Sequence, residues 1–178
     1  MSCDLSIGRK EECMDNVGGI KAIYFVNYSP ELYSTSGKTE VDLIFAIPSF
    51  LGLIAYKYEL KGVNSYEEEN VKSQSTSSYN QTATIYLKKQ NATTLKELKM
   101  LSYGRPHAII EDKNGNLRLA GYERGLDVQV NNSTGASLEE DNGYSITITG
   151  SERFPAPFMD IAILNGGSSQ FTVVEGTN

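Results

Sequence analysis

The side chains in this sequence that could do chemistry are few and far apart. The chain of 178 residues has one histidine, His107, and two cysteines, Cys3 and Cys13. Two thiols without a nearby histidine make a poor zinc site, which needs a full set of ligands. A lone histidine is more often packed or on the surface than used as a base. No phosphate loop, nucleophile elbow or paired Cys-x-x-Cys occurs, so the sequence predicts no catalytic residue, no cofactor and no metal.

Two runs of carboxylates, at residues 67–69 and 139–141, are the other candidates. The second run lacks the spacing of a calcium loop and is interpreted as solvated charge in a polar loop. The first lies in a segment rich in Ser, Thr, Asn and Gln. Successive side chains of a strand alternate between its faces, so Glu68 should project from one face and Glu67 and Glu69 from the other. At least one acidic group therefore lies on the polar face.

The overall charge and hydropathy narrow the classes of protein. The formal charge is −6, from 16 basic and 22 acidic residues. That balance disfavours a surface that grips phosphate and suits one to which nucleic acid does not stick, although ordinary solubility also explains it. No signal peptide is visible at the start, and the apolar stretch 43–56 is too broken to span a bilayer. We expect a protein that folds in a cytoplasm with reduced cysteines.

The first half of the chain predicts strands and a long hairpin. β-branched and aromatic residues predict a buried strand over 20–28 and a second strand over 40–47. Residues 62–79 contain almost no aliphatic side chain, and residues 80–89 then alternate between apolar and polar types. Together they predict an antiparallel hairpin with one thinly apolar and one fully polar face. A low-complexity linker over 64–79 is the alternative.

The second half predicts one helix and more strands. A helix over 92–103 should be capped by Asn91 or Thr93 and end at Gly104. Its packed face should consist of leucines at threefold spacing, namely Leu95, Leu98 and Leu101. An Asn-Gly turn at 114–115 predicts a short hairpin. Strands are also expected over 125–130 and 143–150.

The fold class that follows is mostly β, or α+β by element order. We expect an antiparallel β-sandwich or barrel-like subunit with a long hairpin and one flanking helix. Residues 1–178 should form a single domain with an irregular N-terminal arm (1–19) and a C-terminal tail (151–178). A hairpin this polar leaves exposed edges that invite pairing with another chain. Identical subunits closing into a ring could join their sheets into one barrel, whose inner face must be polar if the bore holds water.

Three segments carry a resemblance to a known family. Residues 103–116 (YGRPHAIIEDKNGN) and 143–152 (GYSITITGSE), followed by Pro155 and Ala156, are similar to the tail tube proteins of tailed bacteriophages. Cys13 and the run 17–27 (VGGIKAIYFVN) are similar to phage structural proteins that share these later motifs. The resemblance covers structural signatures over most of the chain and includes no catalytic fingerprint. The arm around the cysteines and the tail beyond Pro157 have no firm counterpart in the family.

The resemblance implies a self-assembling virion protein. Six copies would form a ring, and stacked rings would form the conduit for phage DNA, which passes transiently without specific binding. Partners would be further copies and other tail proteins, with no membrane insertion, and assembly would take place in the bacterial host cytoplasm. Residues 62–89 would line the bore, with candidates Glu67, Glu68, Glu69, Lys72, Gln74, Thr82, Thr84 and Tyr86. Residues 29–52 would form an inter-ring loop, with candidates Tyr33, Phe45 and Phe50.

Three rival interpretations remain open at this point. A tail terminator or baseplate ring protein could share the same fold. A receptor- or carbohydrate-binding β-sandwich of a virion or cell envelope should show an aromatic platform, whereas the eleven tyrosines here are scattered. A small hydrolase of unknown type would need catalytic residues that the sequence does not reveal.

Overall fold

The structure is a computed structural model that describes residues 8–11, 13–30, 43–44, 53–161, 164 and 171–176. Its elements are β1 (Ile20–Val26), β2 (Leu43–Ile44), β3 (Leu53–Glu59), β4 (Ser65–Lys72), β5 (Ser77–Lys88), α1 (Ala92–Tyr103), β6 (His107–Asp112), β7 (Leu117–Ala120), β8 (Asp127–Ser133), β9 (Gly143–Glu152), β10 (Phe158–Met159) and β11 (Phe171–Glu175). A seven-stranded sheet has the order β11-β3-β1-β6-β7-β10-β2, and a four-stranded sheet has the order β4-β5-β9-β8. The predicted β-sandwich with a flanking helix is confirmed.

Strand β1 lies inside the larger sheet, between β3 and β6, and is apolar on both faces. Ile23 and Phe25 point into the core between the two sheets, which also contains Ile85, Ile146 and Ile148 of the smaller sheet. The alternate residues of β1 point to the opposite face of the larger sheet. They join a second apolar cluster there, whose members include Tyr24, Val26, Leu119, Met159 and Phe171. The sequence prediction of a well-buried strand over 20–28 is therefore confirmed for β1.

Helix α1 begins and ends where the sequence predicts. The Asn91 side chain accepts a hydrogen bond from the Thr94 amide at 2.6 Å, and Gly104 follows the last turn. Leu98 is fully buried in the core between the sheets and Leu101 packs partly against it. Leu95 is 48 % exposed, so its predicted place on the packed face is wrong. The helix reaches the core at Leu98 and Leu101, and Leu95, one turn earlier, lies beyond the edge of that core.

Both predicted hairpins form. Strands β4 and β5 pair antiparallel from Ser65–Thr84 to Lys72–Ser77, so the alternative of a linker over 64–79 is wrong. Strands β6 and β7 pair across the Asn-Gly turn, where Gly115 has a φ of +86°. Asp112 accepts hydrogen bonds from the Asn114 and Asn116 amides at 2.8 Å each and so ties the turn together.

The last strands differ from the sequence predictions in extent. β8 is displaced towards the C-terminus relative to the predicted strand 125–130, because Gly125 has a φ of +73° and lies in a turn. Two segments of the predicted tail 151–178 join the larger sheet as β10 and β11, the latter parallel to β3. β10 and β2 form another parallel pair. Of the predicted strand 40–47 only β2 lies within the described residues.

Candidate functional site

The outward face of the four-stranded sheet is polar from one edge strand to the other. Its residues align in cross-strand rows, of which two are Glu67–Thr82–Thr149–Asp127 and Ser65–Thr84–Thr147–Gln129. Threonine pairs that face each other across strands stabilise a sheet by packing their methyl groups and exchanging hydrogen bonds. The opposite face of the same strands carries Ile85, Ile146 and Ile148 into the core. The sheet therefore separates an apolar interior from a surface that is polar except at Val71, which we call the polar face.

The charges on the polar face are mostly negative. Glu67 and Glu69 stand on β4, Asp127 stands on β8, and all three are exposed. Lys88, at the end of β5, lies on the same face. It is the one basic residue at the strand positions of this face. Among these positions, the edge strands carry the carboxylates and the two central strands carry mainly threonine and serine.

Glu68 does not belong to the polar face. Its carboxylate turns into the sandwich and accepts hydrogen bonds from the Tyr66 hydroxyl at 3.0 Å and from the Ala156 amide at 2.8 Å. The buried Gln81 amide donates to the same oxygen at 3.2 Å, and its own oxygen accepts from the Gly121 amide at 2.9 Å. Burial, with the nearby Glu68 charge, raises the pKa of Tyr66. Glu68 therefore joins β4 to the interior rather than to solvent.

The remaining predicted bore residues are spread over different places. Thr82, Thr84 and Tyr86 lie on the polar face with Glu67 and Glu69. The Tyr86 ring lies over Gly143, where a side-chain Cβ would come within 2.7 Å of the tyrosine hydroxyl. Lys72 is the last residue of β4 and lies on the same side of the strand as Glu68, not on the polar face. Gln74 lies in the turn between β4 and β5. Both residues are exposed. Tyr33, Phe45 and Phe50, the inter-ring candidates, lie outside the described residues.

Half of the polar face was absent from the sequence-based candidates. The alternation of residues 143–150 predicted strand β9, and the same alternation assigns Ser145, Thr147 and Thr149 to one face. Asp127, Gln129 and Asn131 of β8 carry a weaker signal, because the strand runs into the mostly polar segment 131–142, which looks like a loop. Only the pairing of β8 with β9 places them beside the threonines.

The four-stranded sheet also has two free edges among the described residues. β4 pairs only with β5, and β8 pairs only with β9. Their side chains are largely exposed, apart from those that turn into the core, such as Tyr66 and Val128. All pairs in this sheet are antiparallel, so β4 and β8 run in opposite directions. Unpaired edges of this kind are templates for another strand.

His107 serves the packing of the fold. The ring is fully buried, its Nδ1 lies 2.6 Å from the Gly121 carbonyl oxygen, and its Nε2 accepts a hydrogen bond from the Ser29 amide at 3.1 Å. It stacks on Tyr28 with ring centroids 5.1 Å apart. Burial lowers the pKa of His107, and the nearby Arg105 charge acts in the same direction. The imidazole is thus a neutral link between the end of β1 and the turn after β7.

In the described part of the chain, no three or more His, Cys, Asp or Glu side chains are placed so that together they could hold a metal ion. Among the described residues, no helix is long and apolar enough to cross a membrane. Cys13 is a free, exposed thiol in the arm, and Cys3 lies outside the described residues. Comparisons with models of protein families, with curated proteins and with solved structures gave no significant match. The polar face and the two edges of the smaller sheet are therefore the features of the described chain that bear on function.

Proposed function

We propose that this protein is a structural subunit that assembles into rings, stacked as a tube of the phage tail type, with the polar face lining a channel for DNA. The observation that carries the proposal is the four-stranded sheet, in which one face packs on the core, the other face is polar except at Val71, and both edges are free among the described residues. A monomer gains nothing from leaving such edges open, because they promote uncontrolled pairing. A closed assembly removes them.

Strand direction supports closure by identical copies. Because β4 and β8 run in opposite directions, the β8 edge of one copy can pair antiparallel with the β4 edge of the next. This contact joins two different edges, and a contact between different surfaces generates rings or filaments rather than two-fold dimers. Every copy then contributes four strands to one continuous antiparallel barrel.

The size of such a barrel suits DNA. Six copies, the number that the resemblance implies, would give twenty-four strands from four per copy. With strands about 4.8 Å apart and tilted by about 36°, the circumference is about 140 Å and the backbone diameter about 45 Å. Side chains of about 5 Å on each wall leave a bore of roughly 35 Å, which admits a DNA duplex.

The chemistry of the polar face suits passage rather than binding. Proteins that hold DNA neutralise its phosphates with lysine and arginine and release counterions. The polar face instead offers Glu67, Glu69 and Asp127 among threonines and serines, with Lys88 as a single opposing charge. A duplex inside it would meet weak repulsion and hydrated hydroxyl groups, so it could slide.

The first test is direct imaging of the concentrated full-length protein. We expect rings or stacked tubes with a central channel in negative stain. Rings that never stack would favour a terminator or baseplate ring of the same architecture. A protein that stays monomeric at all concentrations, or assembles with the polar face outside, would refute the proposal.

The second test reverses the charge of the polar face. Glu67→Lys with Glu69→Lys should leave folding unchanged, because both side chains are exposed. In assembled tubes the variant should retain DNA and release it only at raised salt, since lysines recruit phosphate contacts. The matched control is Glu97→Lys with Glu139→Lys, which makes the same charge change on the helix and in the loop before β9. Equal DNA retention by both variants would argue against a DNA channel lined by the polar face.

A further inference from the structure

We propose that the β4 edge of one copy pairs with the β8 edge of the next in one defined register, with Glu67 opposite Asn131 and Glu69 opposite Gln129. The proposal rests on the proposed function and specifies the contact between subunits. It follows from the lengths of the two edge strands, the direction of their side chains, and their charges.

Strand length leaves two registers. β4 has eight residues and β8 has seven. Antiparallel pairing that uses every residue of β8 within β4 must place Ser133 opposite either Ser65 or Tyr66. Any other offset leaves part of β8 unpaired, with backbone groups that gain no partner in the assembly.

Side-chain direction decides between the two. Ser65 lies on the polar face, since it pairs with Thr84, whereas Tyr66 packs towards the core between the sheets. Ser133 shares the polar face with Asn131, Gln129 and Asp127, because these alternate positions of β8 point the same way. A slip of one residue turns every side chain to the wrong face. Ser133 must therefore lie opposite Ser65.

The charges agree with this register. It sets the Glu67 carboxylate opposite the Asn131 amide and the Glu69 carboxylate opposite the Gln129 amide, so both glutamates face a hydrogen-bond donor, while Asp127 lies opposite the uncharged Val71. A shift of two residues in one direction would place Glu69 opposite Asp127. A shift of four in the same direction would place Glu67 there, and like charges directly opposite destabilise a sheet. The chosen register brings no two carboxylates face to face.

The core side of the contact is also compatible. Tyr66 and Val130 are both half-buried in the subunit and pack partly against the core between the sheets. In the proposed register they are diagonal neighbours across the seam, a spacing that aromatic side chains span. In the assembly, Tyr66 and Val130 would each cover part of the apolar surface of the other that is exposed in the monomer.

The register also closes a barrel of ordinary geometry. The row that starts at Glu67 passes through Thr82, Thr149 and Asp127 and then reaches Val71 of the next copy, four residues further along β4. With about 3.4 Å per residue and about 4.8 Å between strands, this offset over four strands tilts them by about 35°. Closed barrels have strand tilts of about 35–45°. The register was chosen from the lengths of β4 and β8, the faces of their side chains and their charges. The strand tilt was not used in that choice, so its agreement with the tilt of known barrels is independent support.

Disulfide trapping tests the register in the assembled full-length protein. All variants carry Cys3→Ser and Cys13→Ser, so that no native thiol competes. Glu67→Cys with Asn131→Cys should give a ladder of cross-linked subunits on mild oxidation, because opposite Cβ atoms lie about 5 Å apart. Glu67→Cys with Gln129→Cys and Glu67→Cys with Ser133→Cys are the controls, with the two positions displaced by about 7–8 Å. We expect about fivefold less cross-linking in the controls.

A charge test with rescue complements the trapping. Asn131→Asp places a carboxylate opposite Glu67 and should raise the protein concentration needed for assembly by about two- to fivefold at low salt. Asn142→Asp adds the same charge in the loop before β9 and should have no such effect. Adding Glu67→Gln to Asn131→Asp should restore assembly.

The outcomes separate the register from the function. Rings whose displaced cysteine pair cross-links best would overturn the register and leave the ring proposal standing. Rings without any cross-link at these positions would overturn the β4–β8 contact itself. No assembly of the unmodified protein under any condition would overturn both proposals.

Discussion

Leu98→Ala is the sharpest test of the core, because the same helix provides its own control. Leu98 is fully buried between helix α1 and the two sheets, and Leu95, one turn earlier, is 48 % exposed. Both are leucines in the interior of α1, so replacement by alanine changes helix propensity about equally. The difference between the two variants therefore reports burial alone.

The expected losses follow from that burial. The three carbon atoms removed from Leu98 contribute about 0.8 kcal/mol each by transfer out of water, or about 2.4 kcal/mol. The space they leave adds to this, and buried leucines replaced by alanine cost about 2–5 kcal/mol in all. For Leu95, roughly half of the transfer contribution is already absent and solvent fills the gap. Its loss should stay near 1 kcal/mol or below.

Urea titration of each variant gives the free energy of unfolding. We expect a lower midpoint with an unchanged slope for Leu98→Ala, and a small shift for Leu95→Ala. In thermal melts, each kcal/mol should lower the midpoint by about 2–4 °C for a chain of this length. A loss for Leu98→Ala within about 0.5 kcal/mol of that for Leu95→Ala would contradict the placement of the helix against the core.

Two further predictions concern the turn after β6 and the single histidine. Gly115→Val should cost about 1–2 kcal/mol because Gly115 has a φ of +86° with open space around it, whereas the exposed Glu139→Ala should be nearly silent; equal thermal midpoints would remove the strain argument. His107 stays neutral in the fold because burial lowers its pKa, while the unfolded chain takes up a proton near pH 6.5. The free energy of unfolding should therefore fall as the pH drops below about 6.5 and level off below the lowered pKa. Urea titrations of His107→Gln should not show this pH dependence. If both proteins show the same pH dependence, groups other than His107 cause it.

Local sequence signals predicted several elements of this fold. Asn91 and Gly104 mark the ends of helix α1. The Asn91 side chain caps the first turn, and the amide of Gly104, which is in an extended conformation, donates to the Leu101 carbonyl, so both contacts are local. The Asn-Gly turn between β6 and β7 is local for the same kind of reason, since its conformation is set by Gly115. The alternation of apolar and polar residues in β5 and β9 also predicted which side chains share a face.

Which strands lie side by side was decided only by the tertiary structure. β5 pairs with β4 next to it in the chain, but its other neighbour is β9, which lies more than fifty residues away. That pairing places Thr82 beside Thr149 and Thr84 beside Thr147, and nothing within either segment encodes it. The polar face as a surface, rather than as a list of polar residues, is a product of this long-range contact.

The roles of single side chains likewise depend on what packs above them. Glu67, Glu68 and Glu69 are identical in type, and alternation separates Glu68 from the other two. Only the folded chain brings the Tyr66 hydroxyl, Gln81 and the Ala156 amide to the Glu68 carboxylate. Periodicity likewise placed Leu95 with Leu98, yet only Leu98 reaches the core. A sequence repeat specifies a direction, whereas burial depends on whether another element lies in that direction.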